Sequence, residues 1–260
     1  MIRSPIFNVM VKAAQRAGRG LVKDFGEVEN LQVSRKGPAD FVSSADMNAE
    51  KIIREELAKA RPHFGFLMEE SGASGSTEER WVVDPLDGTT NFLHGVPHWS
   101  IAIAVEQKGE ITAGLVYNPV RDELFLAEKG GGAYLNNQRL RVSARRNLAD
   151  SLIVCGTPRP GKGSIAQFQK ESAVILSTVA GLRRFGSAAL DLAYVAAGRF
   201  DGYWERDLAP WDVGAGIILV QEAGGYATDL AGKRNPLSGA SILAANPNLH
   251  PQLKDVLAKA

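Results

Sequence analysis

The stretch Trp81-Val82-Val83-Asp84-Pro85-Leu86-Asp87-Gly88-Thr89-Thr90-Asn91-Phe92 constrains this chain more than any other, because it drives an apolar run into two acids that bracket a proline. The apolar residues predict a buried strand. Pro85 fixes its own φ and discourages regular continuation, so Asp84, the Leu86 carbonyl and Asp87 converge on one point instead of alternating across a sheet. Three hard oxygens at a rigid bend suit magnesium, which takes near-octahedral oxygen coordination, better than histidine or thiolate would. Gly88, Thr89 and Thr90 then begin a helix and can aim backbone N–H groups at a phosphate. Metal and anion sites are adjacent by construction. Taken alone, Pro-x-Asp-Gly is equally a plain turn whose aspartates cap backbone groups.

Two further acid positions weigh against that plainer reading. Glu69 and Glu70 follow the apolar run 64–67, and Asp212 follows Pro210-Trp211 at a predicted helix start. Singly, these are a pair of solvated loop charges and a first-turn residue favoured by the helix dipole. As a set with Asp84 and Asp87 they would repel and raise one another's pKa unless cations were bound.

The rest of the composition excludes more than it specifies. Thirty basic against twenty-nine acidic residues leave a formal charge of +1, which gives no global field for nucleic acid or an anionic membrane. Cys155 is the only cysteine, so a disulfide framework and a cysteine-based zinc site are out, and a reducing cytoplasm fits best. The four histidines show no zinc spacing. The N-terminal segment is broken by Lys12, Gln15, Arg16 and Arg19, which leaves neither a signal-peptide core nor a membrane span there.

Ser4-Pro5 predicts a capped helix start, with Phe7, Met10, Val11, Ala14, Ala17 and Leu21 on one face as far as about residue 24. Ser44 or Asp46 caps a second helix with Ile52, Ile53 and Leu57 inward, ending before Pro62. From 64 to 134, short apolar runs at 64–67, 81–83, 100–105, 111–117 and 123–127 alternate with turns and predict a largely antiparallel sheet. Strand and helix then alternate: strands at 152–154, 201–205 and 241–245, helices at 166–179, 187–197, 210–223 and 247–259. No linker or repeat divides the chain. The expected architecture is a single α/β domain over 1–260 with layered helices and sheets, one lobe spanning 1–145 and the other 146–260.

These residues resemble the inositol monophosphatase family. Asp84 to Phe92 matches its first signature, and Trp211-Asp212-Val213-Gly214-Ala215-Gly216 through Glu222-Ala223-Gly224-Gly225 its second, in the same order and spacing. The resemblance implies an α/β sandwich of alternating helix and sheet layers. It also implies two to three magnesium ions: one on Glu69, Asp84 and the Leu86 carbonyl, a second on Asp84, Asp87 and Asp212, and a looser third near Glu69. In family terms Thr89, paired with Asp46, activates a water for in-line attack on phosphorus without a covalent phospho-enzyme. Gly88 and Thr89 then hold phosphate oxygens, and Asp87, Asp212, the Ala188 backbone and Glu205 lie near the alcohol. Lys36 and Asp40, with Glu70, resemble a secondary loop around the metals. Met68 and Ser43 depart from the usual glycine and threonine and remove no metal-binding oxygen.

The run Leu182-Arg183-Arg184-Phe185-Gly186-Ser187-Ala188-Ala189-Leu190-Asp191-Leu192 is most similar to the bacterial branch known as extragenic suppressor proteins. That branch implies a second role with transcription-machinery proteins, and the family implies a homodimer and lithium sensitivity. Arg183 and Arg184 fit a structural role or a dimer interface equally. Inositol 1-phosphate is the preferred substrate, with fructose bisphosphate, nucleotide 3′-phosphates, histidinol phosphate and NADP as alternatives, and no basic or aromatic cluster reserved for a nucleotide. A haloacid-dehalogenase-type phosphatase has one residue between its aspartates, whereas Pro85 and Leu86 make two here. A non-catalytic partner of transcription proteins is the remaining reading, and the intact acid set argues against it.

Overall fold

The computed structural model describes residues 4–27, 33–37, 40–234, 237 and 241–260, with the backbone alone for 33–37 and 40–42. Helix α1 (Pro5–Phe25) buries Phe7, Met10, Val11, Ala14, Ala17 and Leu21 as its periodicity predicts. Its start rests on the fixed φ of Pro5, because the Ser4 hydroxyl, expected to cap, makes no capping bond. A hairpin of β1 (Val33–Gly37) and β2 (Asp40–Ser43) occupies the stretch read as a polar connection. Lys36 and Asp40 lie on it, and their side chains fall outside the described residues.

Helix α2 (Ser44–Ala60) begins one residue earlier than a cap at Ser44 would give and three earlier than a cap at Asp46 would. Ser43 is the cap, and Asp46, three residues on, reaches back to the Ser43 N–H, which is the geometry of a capping box.

An eight-stranded sheet follows, made of β3 (Gly65–Met68), β4 (Gly72–Ser74), β5 (Glu79–Asp87), β6 (Ser100–Gln107), β7 (Glu110–Asn118), β8 (Glu123–Glu128), β9 (Gly132–Leu135) and β10 (Gln138–Arg139). Its order is β10-β9-β8-β7-β6-β5-β3-β4, antiparallel except where β3 runs parallel to β5. The short helix α3 (Thr89–Leu93) interrupts it after β5. The second half supplies β11 (Leu152–Cys155), α4 (Ile165–Leu176), β12 (Gly181–Arg183), α5 (Ala188–Ala196), β13 (Gly202–Arg206), α6 (Pro210–Glu222), β14 (Tyr226–Thr228), β15 (Ser241–Ala245) and α7 (Leu249–Leu257). Its strands order as β12-β11-β13-β15-β14.

Five layers result, with α1 and α2 on one face of the large sheet, α5 and α6 between the sheets, and α4 and α7 outside the small one. Strand periodicity explains how one sheet serves two cores. On β5, Trp81 and Val83 point to α1 and α2 while Val82 points to α5 and α6. On β6, Ile101, Ile103 and Val105 face the first core and the small Ala102 and Ala104 face the second, where α6 packs against them. A third core, with Ile153, Trp204, Leu243 and Leu253, lies under α4 and α7.

Candidate active site

The acid-bearing bend is a break within a strand, not the end of one. Pairing of β5 with β6 is regular as far as Asp84 opposite Ala102 and resumes with Asp87 opposite Ser100, so three steps on one strand meet two on the other. The extra residue sits where Pro85 has no N–H to give to a ladder. Asp84 stabilises the bulge by accepting from the Leu86 N–H at 2.9 Å, and the Leu86 carbonyl accepts from the Thr89 hydroxyl at 3.1 Å. Gly88 follows with φ +96°, and a Cβ there would lie 3.1 Å from the His98 carbonyl oxygen and 3.3 Å from that of Gly186. Only glycine fits both the conformation and the space.

The acids are brought in by four elements, with Asp84 and Asp87 sharing β5. The Asp87 carboxylate accepts from the Ser187 hydroxyl at 2.5 Å, the Ala189 N–H at 2.8 Å and the Ala188 N–H at 3.2 Å, and so receives the N-terminus of α5. Asp212 is the third residue of α6 and accepts from the Ala209 N–H at 2.7 Å. Glu69 follows β3, with its N–H bonded to the Val83 carbonyl at 3.2 Å. Its carboxylate comes within hydrogen-bonding reach of that of Asp84. Glu205, on β13, accepts from the Tyr203 hydroxyl. Its carboxyl fills the space beside Gly156, where a Cβ would come within 1.7 Å of the Glu205 Cδ.

Burial and mutual repulsion set the electrostatics of these acids. Burial, then the charges of Glu69, Asp87 and Asp212, hold Asp84 well above the usual carboxylate range. Burial lifts Asp87 to about 6 against the opposing Ser187 bond, Asp212 to about 6 against the Ala209 bond, and Glu205 to about 8 against the Tyr203 bond. Two carboxylates in contact, as Glu69 and Asp84 are, need either a shared proton or a cation. An all-oxygen donor set in this condition fits hard divalent ions. Among the described residues no three His, Cys, Asp or Glu side chains already stand as a closed metal cage. Asp84, Asp87 and Asp212 are each turned in part toward backbone N–H groups, which leaves other lone pairs for ions.

A cleft of about 740 Å³, open mouth included, gathers Glu69, Asp84, Leu86, Asp87, Gly88, Thr89, Ala188, Glu205 and Asp212 on its walls. Asp46 stands behind the wall: its Oδ2 accepts from the Ser43 hydroxyl at 2.5 Å and its Oδ1 from the Thr89 hydroxyl at 3.1 Å. Thr89 therefore has two acceptors for one proton, Asp46 and the Leu86 carbonyl. Glu70 does not line the cleft; its N–H donates to Glu50 at 2.9 Å. Gly156, Thr157 and Arg159, which no local pattern singles out, and Arg184, expected only in a structural or interface role, also line the cleft. The charges of Arg159 and Lys162 also pull the Asp212 pKa down. The one signal for Arg184 was its place two residues before the Gly186-Ser187 turn into a helix.

The model of the inositol monophosphatase family matches residues 2–260. The inositol-1-monophosphatase of Rhizobium meliloti is 56% identical over 259 residues, covering 99% of this chain and 97% of that protein. The Nus factor SuhB of Escherichia coli K12 is 41% identical, covering 97% of this chain and 98% of that protein. The crystal structure of extragenic suppressor protein suhB from Bartonella henselae superposes with a TM-score of 0.95 at 55% identity, covering 99% of this chain and all of that one.

Proposed function

We propose that this chain, which belongs to the inositol monophosphatase family, hydrolyses inositol 1-phosphate to inositol and inorganic phosphate, using magnesium held by Glu69, Asp84, the Leu86 carbonyl, Asp87 and Asp212. The chain is a phosphoric monoester hydrolase by family. The observation that carries the finer reading is the crowding of buried carboxyls, held above their usual pKa, on the wall that also bears Gly88 and Thr89. When bound, magnesium supplies Lewis acidity that lowers the pKa of a water and offsets charge on the entering and leaving oxygens.

The protein's own groups do the rest. Gly88 and the first N–H groups of α3 bind phosphate oxygens, with Arg184 and Arg159 adding positive charge at the wall. Thr89 orients the attacking water and passes its proton toward Asp46, whose carboxylate burial already favours protonation. Asp87, the Ala188 backbone, Asp212 and Glu205 meet the hydroxyls of the alcohol. Glu69 also reaches a third, looser ion, and Lys36 and Asp40, with Glu70, belong to a secondary loop around the metals. In this reading the enzyme is a lithium-sensitive cytoplasmic homodimer that uses two to three ions. Among the described residues no helix is long and apolar enough to cross a membrane. The name of the Escherichia coli relative supports one addition, a contact with transcription-machinery proteins separate from catalysis.

Phosphate release from a panel of monoesters tests the proposal. Inositol 1-phosphate should be turned over in a magnesium-dependent manner and faster than fructose bisphosphate, nucleotide 3′-phosphates, histidinol phosphate or NADP. Asp87→Asn should lower kcat by about 100-fold or more with the fold kept, the scale of losing a group that stabilises transition-state charge. Wild-type protein that releases no phosphate from any of them would refute the reading.

A further inference from the structure

Two buried titratable side chains beside the cleft have no part in the chemistry above. His98 lies on the connection from α3 to β6, and Asp191 lies on α5, one turn in from Ser187; the residues are 8% and 1% exposed. The His98 Nε2 and the Asp191 Oδ1 are 3.0 Å apart.

The partners of His98 divide by lobe. Its hydrogen-bond and ring-packing partners lie in the second half, namely Asp191, the stacked ring of Phe185 at 5.0 Å and the edge of Tyr194 at 5.8 Å, while the charges of Asp87, Arg121 and Glu123 from the first half also act on it. Its backbone carbonyl serves the first half, accepting from the Asn91 side chain at 2.7 Å and lying against Gly88. The same Asn91 amide nitrogen lies 2.7 Å from the Phe185 carbonyl. Asp191 sits on the helix whose N-terminus holds the Asp87 carboxylate. A displacement of His98 is therefore felt at Gly88 on one side and at the Asp87 cradle on the other.

We propose that His98 and Asp191 are a positioning pair that clamps the Gly88–Asn91 turn against the N-terminus of α5 and so fixes the spacing between the phosphate-facing N–H groups and Asp87. The inference rests on the catalytic reading above. Burial pushes the Asp191 carboxyl up and the His98 imidazole down to about 4, so burial disfavours a charge on either group. A clamp of that kind joins the two halves without adding net charge beside the acid cluster.

The test is a double-mutant cycle with His98→Leu, Asp191→Leu and the double variant, beside the conservative Asp191→Asn. It is read by phosphate release from inositol 1-phosphate, by calorimetric titration with magnesium chloride alone, and by circular dichroism for folding. Each leucine variant should lose about tenfold in kcat and bind magnesium about threefold or more weakly while folded, and the double should be no worse than the worse single. Asp191→Asn, whose amide can accept from the ring nitrogen or donate to it, should stay within about threefold of wild type. If the leucine variants do not fold, His98→Asn and Asp191→Ser give the same cycle with polar side chains that fall short of each other.

Folded variants with unchanged kcat and magnesium affinity, or losses that simply add in the double, would overturn the clamp and leave a merely structural pair. Failure of the catalytic reading is separate, since it would show as a wild type without phosphate release, and the magnesium titration would then decide the clamp alone.

Discussion

Gly156 lacks a side chain because the Glu205 carboxyl stands where one would go, within 1.7 Å of the site of a Cβ. In Gly156→Ala, Glu205 must swing away from Tyr203 and from the hydroxyl side of the cleft. The expected result is a KM for inositol 1-phosphate raised about tenfold, equivalent to about 1.4 kcal/mol, with p-nitrophenyl phosphate, which has no ring hydroxyls, turned over as before. Steady-state kinetics on the two substrates checks it. The acids themselves were legible because each follows an apolar run or a proline that fixes its element: Asp84 and Asp87 around Pro85, Glu69 after Met68, Asp212 after Pro210. Their supports were not. Ser187 meets Asp87 from 100 residues away and His98 meets Asp191 from 93, and no local pattern announces such a contact.

Helix α2 shows how one element serves the site from behind. Asp46 and Glu50 are four residues apart and share a face: the first holds the Thr89 hydroxyl and the second the Glu70 N–H, which fixes the chain just after Glu69. Glu50→Ala should remove the acceptor of a half-buried N–H and cost about 1–3 kcal/mol in urea unfolding. Magnesium activation should shift to higher concentration as Glu69 loses its fixed position. Among elements, those that follow a hydrophobic period were predictable: α1, β6 and α6 stand within a few residues of where the pattern puts them. Strands such as β4, β10, β12 and β14 were invisible, being two or three residues long and owing their form to a neighbouring strand. The capping of α2 by Ser43 was missed because Ser43, Ser44 and Asp46 offer three candidate starts, and only the reach of Asp46 back to the Ser43 N–H selects one.

At the scale of the molecule, the two lobes anticipated from the change of pattern near residue 145 share a central core, with Val82, Ala102 and Val116 packed among Leu190, Ile218 and Ala244. We propose that they unfold as one unit, and their stability should report the charge state of the cleft. Asp87 and Asp212 near 6 and Glu205 near 8 keep protons that the unfolded chain gives up. The metal-free fold should therefore lose stability as pH rises from about 4 to 8, offset below pH 6.5 by His98, whose lowered pKa acts in the opposite sense. Melting in one transition, lower at pH 8 than at pH 6 by roughly 5–10 °C without metal, and a larger gain from magnesium at pH 8, is the expected outcome in scanning calorimetry. The proposed hydrolysis requires Glu69, Asp84, Asp87 and Asp212 to grip divalent cations beside a phosphate pocket, and anomalous diffraction from crystals grown with manganese and inorganic phosphate tests that most directly. The predicted map has at least two peaks about 2.1 Å from oxygens of these four residues, with phosphate over Gly88 and Thr89. Peaks elsewhere, or none at saturating manganese, would contradict it.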